Sequence, residues 1–207
     1  MIEQAIEFFG AGGWVMYPLM FLSVLSLTLI FERLIFWVFS SQRSGSKRLA
    51  RYLAMYDSDS ISQGADEIAK DRTLEGELVR LSSSSQRINE AILIGHIESL
   101  RPAIERFAAI LGAIIAAAPL LGILGTVTGI IRSFDLLGDA AAVSDPSVVA
   151  GGIAEALYTT AFGLTIALVT LFPHVYFKSC AERSLGRLET LAGVIAEHAA
   201  SNSDGLE

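Results

Sequence analysis

The sequence predicts an all-α fold: an integral membrane protein with three transmembrane helices that extend into cytoplasmic helices. Apolar residues make up 52% of the 207-residue chain, and its mean hydropathy of +0.52 lies above that of a soluble domain. The charges are gathered into a few stretches, so the formal net charge of −7 is a poor guide to partners. Between those stretches lie three apolar segments, residues 14–39, 107–131 and 153–177, each long enough to supply the roughly 20 helical residues that cross a bilayer.

The N-terminal residues 1–13 carry Glu3 and Glu7 and neither Lys nor Arg. A cleaved secretory signal would begin with a basic region and end in small residues, so the apolar segment that follows reads as a retained span. It runs from Trp14 to Phe39, with Glu32 and Arg33 near its far end. Trp14, Tyr17, Phe36 and Trp37 lie toward its two ends, as expected of an aromatic belt at the headgroups.

Residues 40–106 follow, with ten basic and ten acidic side chains. Leu74, Leu78 and Leu81, then Ile88, Ala91 and Ile92, recur at helical intervals, which predicts amphipathic helices. The stretches 40–47 (SSQRSGSK) and 56–64 (YDSDSISQG) read as turns. From Gln86 no turn signal interrupts the pattern. One helix is therefore expected to run from this region into the second span, bent at Pro102.

Orientation follows from the basic residues. They fill 40–106 and recur after the third span as Lys178, Arg183 and Arg187, while 1–13 and 133–152 have none. The positive-inside rule puts the 1–13 N-terminus and the 132–152 loop outside. The 40–106 region and the 178–207 C-terminal helix and tail are then cytoplasmic.

The second span carries Pro119-Leu-Leu-Gly122-Ile-Leu-Gly125-Thr126-Val-Thr128-Gly129. Gly125 and Gly129 form a small-xxx-small pair that lets another helix approach closely. Pro119 removes one backbone hydrogen bond and frees the carbonyl of Ile115. Such a helix belongs inside an assembly, and the glycines are packing residues whether Thr126 and Thr128 bond their own backbone or something else.

The third span holds Glu155, a carboxylate costly to place in hydrocarbon. Two readings stand: a role on an ion path, or placement at the interface, where water solvates a residue only a few positions into the span. Thr159 lies one turn deeper and Gly163 another, a polar and then small stripe along one face. Thr160 is turned about 140° from Glu155 and faces a neighbouring sector.

Together APLLGILGTVTGIIRSF (118–134) and GGIAEALYTTAFGL (151–164) resemble the paired signature of the ExbB/TolQ/MotA proton-channel family, most like ExbB and TolQ in size and motif. The resemblance covers the whole topology, though only about a third of the chain lies in close motif. MotA-type members are longer and have four spans. Relatives often carry a proline about fourteen residues after the glutamate; this chain has Val169 there and Pro173 one turn later, which bears on how the third span bends.

The resemblance implies a multi-pass protein of the bacterial inner membrane that forms a homo-oligomer, a pentamer, around single-span ExbD- or TolR-like partners. The partner helix would bring an aspartate that takes up and releases protons, and a TonB- or TolA-like protein would receive the work. By position, Thr126, Glu155 and Thr160 match the family's pore-lining polar residues. Each elementary charge falling through 100 mV releases about 2.3 kcal/mol, so a few ions per step suffice without nucleotide.

Other chemistry is unsupported. Cys180 is the single cysteine, so neither a disulfide within the chain nor a Cys-based metal site is expected. His96, His174 and His198 are scattered and read as cytoplasmic-side surface or interface residues. No phosphate-binding GxxxxGK[ST] loop, Ser/His/Asp set or HExxH pattern occurs. The expectation is no enzyme activity, no cofactor, no metal and no nucleic-acid partner; lipid is the surrounding solvent. Two rivals remain: a non-conducting oligomeric membrane scaffold, and a channel complete in itself, which the lack of a second deep carboxylate disfavours.

Overall fold

A computed structural model describes residues 13–40, 45–58, 68, 70–71, 73–84, 89–138 and 146–204, and among them every regular element is helical. The helices are α1 (Met16–Ser40), α2 (Gly45–Asp57), α3 (Leu74–Ser84), α4 (Glu90–Ile104), α5 (Ala108–Gly138) and α6 (Pro146–Asp204). The expected external N-terminus lies almost entirely outside the described residues, as do the centre of the 132–152 loop, half of the first expected turn (41–44) and most of the second (59–64). Gly45 to Lys47, at the end of the first of those turns, belong to α2.

Three stretches are long and apolar enough to cross a membrane: Met16–Val38, Ala108–Asp135 and Ala150–Ser201. With the unbroken helicity, they define an all-α integral membrane protein. At ~1.5 Å per residue, the 59 residues of α6 are about three times as long as the ~30 Å of hydrocarbon. Only its apolar first half is suited to lipid. Pro173 sits inside α6 without ending it, and Pro119 and Pro102 sit likewise inside α5 and α4.

The chain divides into two compact units, the first comprising 1–33 and 107–176 and the second 34–106 and 177–207. In the first unit, Gly13 at φ 62° opens the turn into α1, where the Met16 N–H reaches its carbonyl. A left-handed residue there suits glycine, which has no Cβ to clash. Val15, Met16, Leu19, Leu111, Ile114 and Ala118 are buried, whereas Phe21, Phe31, Leu120, Phe134 and Leu157 stand exposed. An apolar outer surface of this kind fits hydrocarbon or neighbouring subunits rather than water.

The expected continuous helix into the second span is broken. Asn89 caps the start of α4 by accepting from the Ile92 N–H, and the Glu105 N–H closes the end on the Arg101 carbonyl. Phe107 then adopts φ 66°, a conformation costly for an aromatic residue, and α5 starts at the next residue. Pro102 does not make the break, because the helix continues for two residues past it. The buried face of α4 also differs from expectation. Leu93, Ile97 and Ile104 are buried, while Ala91 and Ile92 are exposed. A helix with apolar residues on several sides has no unique buried face until a neighbour selects one.

The second unit has an apolar centre pinned by polar pairs. Ala181, Leu185, Leu188, Ala192 and Ile195 on α6 are buried at alternating steps of four and three, one stripe of a helix. Leu78, Val79, Leu93 and Ile97 are buried as well. The Tyr52 hydroxyl donates to Asp71 at 2.6 Å, Tyr56 bonds Ser82 at 2.7 Å, and Arg187 Nε donates to the buried Glu75 at 3.1 Å. Burial, reinforced by the bond to Asp71, pushes the Tyr52 hydroxyl well above its usual pKa. Burial alone would raise Asp71 too. The bonds it accepts from Tyr52 and Thr73, with the charge of Arg48, outweigh that and hold it below the ordinary carboxylate value.

Candidate functional site

In the first unit α5 and α6 run antiparallel and meet along a seam of small residues. Gly122, Gly125 and Gly129 recur on one face of α5, and Gly152, Ala156, Thr159 and Gly163 on one face of α6. Steps of three and four keep each set on a single stripe. The contacts pair them in opposite directions along the chain: a Cβ built on Gly163 meets the Ala118 carbonyl, one on Gly122 would lie 2.8 Å from Thr160 Cα, one on Gly125 meets Thr159 Oγ1, and one on Gly129 would lie 2.7 Å from Ala156 Cβ. At the Gly129 end of the seam a Cβ on Gly152 meets Ser133 Oγ. The absence of side chains at these glycines allows the helix backbones to touch.

Close approach brings hydroxyls onto backbone carbonyls. Thr159 Oγ1 donates to Ala156 O at 2.7 Å and to Gly122 O at 3.2 Å. Thr160 Oγ1 donates to the same Gly122 carbonyl at 2.8 Å. Two adjacent threonines on α6, which sequence reasoning assigned to neighbouring sectors, thus converge on one acceptor. Thr126 Oγ1 donates to Ile123 O at 2.7 Å, Thr128 Oγ1 to Leu124 O at 2.9 Å, and Ser133 Oγ to Gly129 O at 3.0 Å. In lipid, where water cannot satisfy a hydroxyl, such bonds to backbone carry its proton. Each oxygen keeps acceptor capacity after donating.

The backbone of Glu155 lies in α6, one turn before Thr159; its side chain lies outside the described residues. Thr126 and Thr160 are half-buried and Thr159 is buried. The structure therefore brings Thr160, Gly122, Gly125, Gly129 and Gly163 to one seam. It leaves Thr126 on α5, bonded within its own helix. Sequence reasoning missed the pinning role of Thr159 and the contribution of Ala118 and Gly152. The spacing 152, 156, 159, 163 on α6, matched by 118, 122, 125, 129 on α5, is the signal that identifies them.

One further charged pair stands in this unit. Arg33, 3% exposed, is held by Glu32 through Nε–Oε2 at 2.6 Å and Nη2–Oε1 at 3.1 Å. Its guanidinium carbon also lies 5.6 Å from the centre of the Phe107 ring, within cation–π range. The left-handed Phe107 thus places its ring against the only arginine of α1. Among the described residues no group of three or more His, Cys, Asp or Glu is arranged to hold a metal.

Fold and seam together define a multi-pass helical membrane protein whose second and third spans pack backbone to backbone. Residues 61–190 match the model of the MotA/TolQ/ExbB proton channel family. The chain is 34% identical over 186 residues to the putative biopolymer transport protein ExbB-like 1 of Synechocystis, covering 81% of this chain and 68% of that protein. It is 32% identical over 193 residues to ExbB-like 3 of the same organism, covering 89% and 90%. To the Tol-Pal system protein TolQ of Pseudomonas aeruginosa it is 34% identical over 113 residues, covering 50% and 47%. The chain belongs to the MotA/TolQ/ExbB proton channel family, whose members are channel and transport-energising proteins rather than enzymes.

Proposed function

We propose that the chain is the ring-forming subunit of an ion-driven motor in the bacterial inner membrane. It acts with a single-span, aspartate-bearing partner of the ExbD/TolR kind to energise transport across, or maintenance of, the envelope. Residues 1–13 and 132–152 face the periplasm; 40–106 and 178–207 face the cytoplasm. The reading is supported by the family match, by relatives named for biopolymer transport, and by the concentration of basic residues in 40–106 and the C-terminal end, which hold all but Arg33 and Arg132.

The observation that carries the mechanism is the bond from Thr160 Oγ1 to the Gly122 carbonyl. With its own proton committed, the hydroxyl meets a partner as an acceptor. It can receive the O–H of a protonated partner aspartate or of water, and it gives a bare carboxylate nothing without breaking its own bond. Hydrogen bonding to the neutral form of a carboxyl favours that form. Thr160 therefore favours the protonated aspartate, while Glu155, one turn from Thr159, shapes the field through which the ion moves. Each charge crossing 100 mV makes about 2.3 kcal/mol available for moving the partner inside the ring.

The test is co-expression with such a partner in mild detergent, followed by native mass spectrometry and ion flux in proteoliposomes. Five copies holding partner helices, with flux lost in Glu155→Gln although assembly persists, is the expected result. A ring that never retains a partner and tolerates Glu155→Gln would return the chain to the non-conducting scaffold.

A further inference from the structure

Thr159 has a choice of acceptor that crosses the seam. A hydroxyl carries a single proton, and Thr159 Oγ1 has Ala156 O at 2.7 Å in its own helix and Gly122 O at 3.2 Å on α5. The Gly122 carbonyl in turn has two hydroxyls within reach, because Thr160 Oγ1 lies 2.8 Å from it. Two protons are thus set against two carbonyls, and Gly122 O is the acceptor common to both threonines.

Either arrangement of those protons leaves the backbone satisfied. In an α-helix each carbonyl also accepts the N–H four residues on, which is Thr126 for Gly122 in α5 and Thr160 for Ala156 in α6. A carbonyl that loses a hydroxyl therefore keeps its helical bond. Turning a threonine proton between oxygens needs only rotation about the Cβ–Oγ bond, with the rest of the side chain fixed. Thr159 is held in that way: it is 1% exposed, and its Oγ1, Cβ and Cγ2 are the nearest atoms that a Cβ on Gly125 would meet. Thr160 is half-buried, so of the two hydroxyls it is the one open to a group from outside the chain.

We infer that Thr159 is a positioning residue that takes over the Gly122 carbonyl when Thr160 turns its proton outward. The inference rests on the reading that an aspartate-bearing partner meets Thr160. While that aspartate is protonated, Thr160 Oγ1 accepts its O–H and keeps its own proton on Gly122 O. Once the aspartate has passed its proton to water, the carboxylate is an acceptor only. Thr160 then turns its O–H to the carboxylate, and Thr159 turns its own from Ala156 O to Gly122 O. Each hydroxyl keeps its proton on its own oxygen, no other covalent bond changes, and only the aspartate's proton moves on. Without the Thr159 hydroxyl, the same turn would strip Gly122 O of its side-chain donor. Thr160 would stay on the carbonyl, and a hydrogen bond to the neutral carboxyl alone favours that form.

The complex with the co-expressed aspartate-bearing partner is reconstituted in proteoliposomes, and proton flux is followed as a function of pH. Thr159→Val keeps the branched shape and removes the donor, whereas Thr159→Ser keeps the donor. Wild type and Thr159→Ser are expected to share one flux midpoint. In Thr159→Val, with assembly unchanged in native mass spectrometry, the midpoint is expected to move about one pH unit upward, a tenfold change in proton affinity. If Thr159→Val does not assemble, Thr159→Ala and Thr159→Ser differ by the hydroxyl alone and make the same comparison. A midpoint that stays in place without the hydroxyl, or moves as far in Thr159→Ser, overturns the hand-over and leaves Thr159 a packing residue, with the motor reading intact. A wild-type complex that retains no partner or passes no protons overturns the motor reading, and the hand-over with it.

Discussion

Thr160 on α6 donates its hydroxyl to the carbonyl of Gly122 on α5 at 2.8 Å, a bond between residues 38 apart in the chain that ties the third span to the second. Thr160→Val keeps the shape and removes the donor, whereas Thr160→Ser keeps the donor. The expected loss in Thr160→Val is ~0.5–1.5 kcal/mol, read as a modest fall in the thermal midpoint in detergent. Ion flux with a partner should fall far more than that midpoint does, and Thr160→Ser should restore both. Equal, small losses in flux and stability would reduce Thr160 to a packing residue.

Glycines on α6 divide by what lies above them. A Cβ at Gly163 meets the Ala118 backbone carbonyl, but at Gly186 it meets nothing within 4 Å. Gly163→Ala is expected to destabilise by ~1–3 kcal/mol, since backbone cannot rotate out of the way. Gly186→Ala lies in a helix interior with open space and should stabilise by ~0.5–1 kcal/mol. Chemical denaturation of the two variants side by side checks the opposite signs.

The Glu32–Arg33 pair offers a test of compensation. Arg33 is buried and Glu32 part-exposed, so Glu32→Gln leaves a buried cation without its counter-charge. Removing one partner of such a pair is costlier than replacing both with groups that need no partner. Glu32→Gln should therefore lower thermal stability more than Glu32→Gln/Arg33→Met. The reverse order would mean that Arg33 is held chiefly by its other neighbours, the Phe107 ring among them.

Tyr52 and Asp71 set a pH window for the second unit. The folded pKa of Tyr52 is raised, so its contribution is complete below the unfolded value near 10 and is lost as pH rises beyond it. Asp71 is lowered, and its contribution is present above the unfolded carboxylate value and fades as pH falls below it. Stability is expected to hold between about pH 5 and 9 and to fall at both ends. Tyr52→Phe should flatten the alkaline limb when thermal midpoints are followed to pH 11.

Hydrophobic segment length alone made the all-α membrane class and the three spans legible, because lipid demands about 20 apolar helical residues per crossing whatever the neighbours. The glycine spacing at 122, 125 and 129 likewise marked a close-packed face before any partner helix was known. Spacing could not say which helix fills that face. Thr159 and Thr160 look separate on a helical wheel and share an acceptor only because α5 approaches closely enough for the Gly122 carbonyl to serve both.

The break at Phe107 was illegible for a related reason. Nothing local marks 105–107 as a helix end, and the left-handed Phe107 is tolerated in a fold that sets its ring beside Arg33. Apolar periodicity on α4 could not choose between Ile92 and Leu93 until packing did. The sequence by itself determined what is local or imposed by lipid: helicity, span number and the small-residue faces. Tertiary structure alone decided which face met which partner and where one helix stopped. Those outcomes depend on groups distant in the chain arriving within a few ångströms of each other, a distance that no single segment encodes.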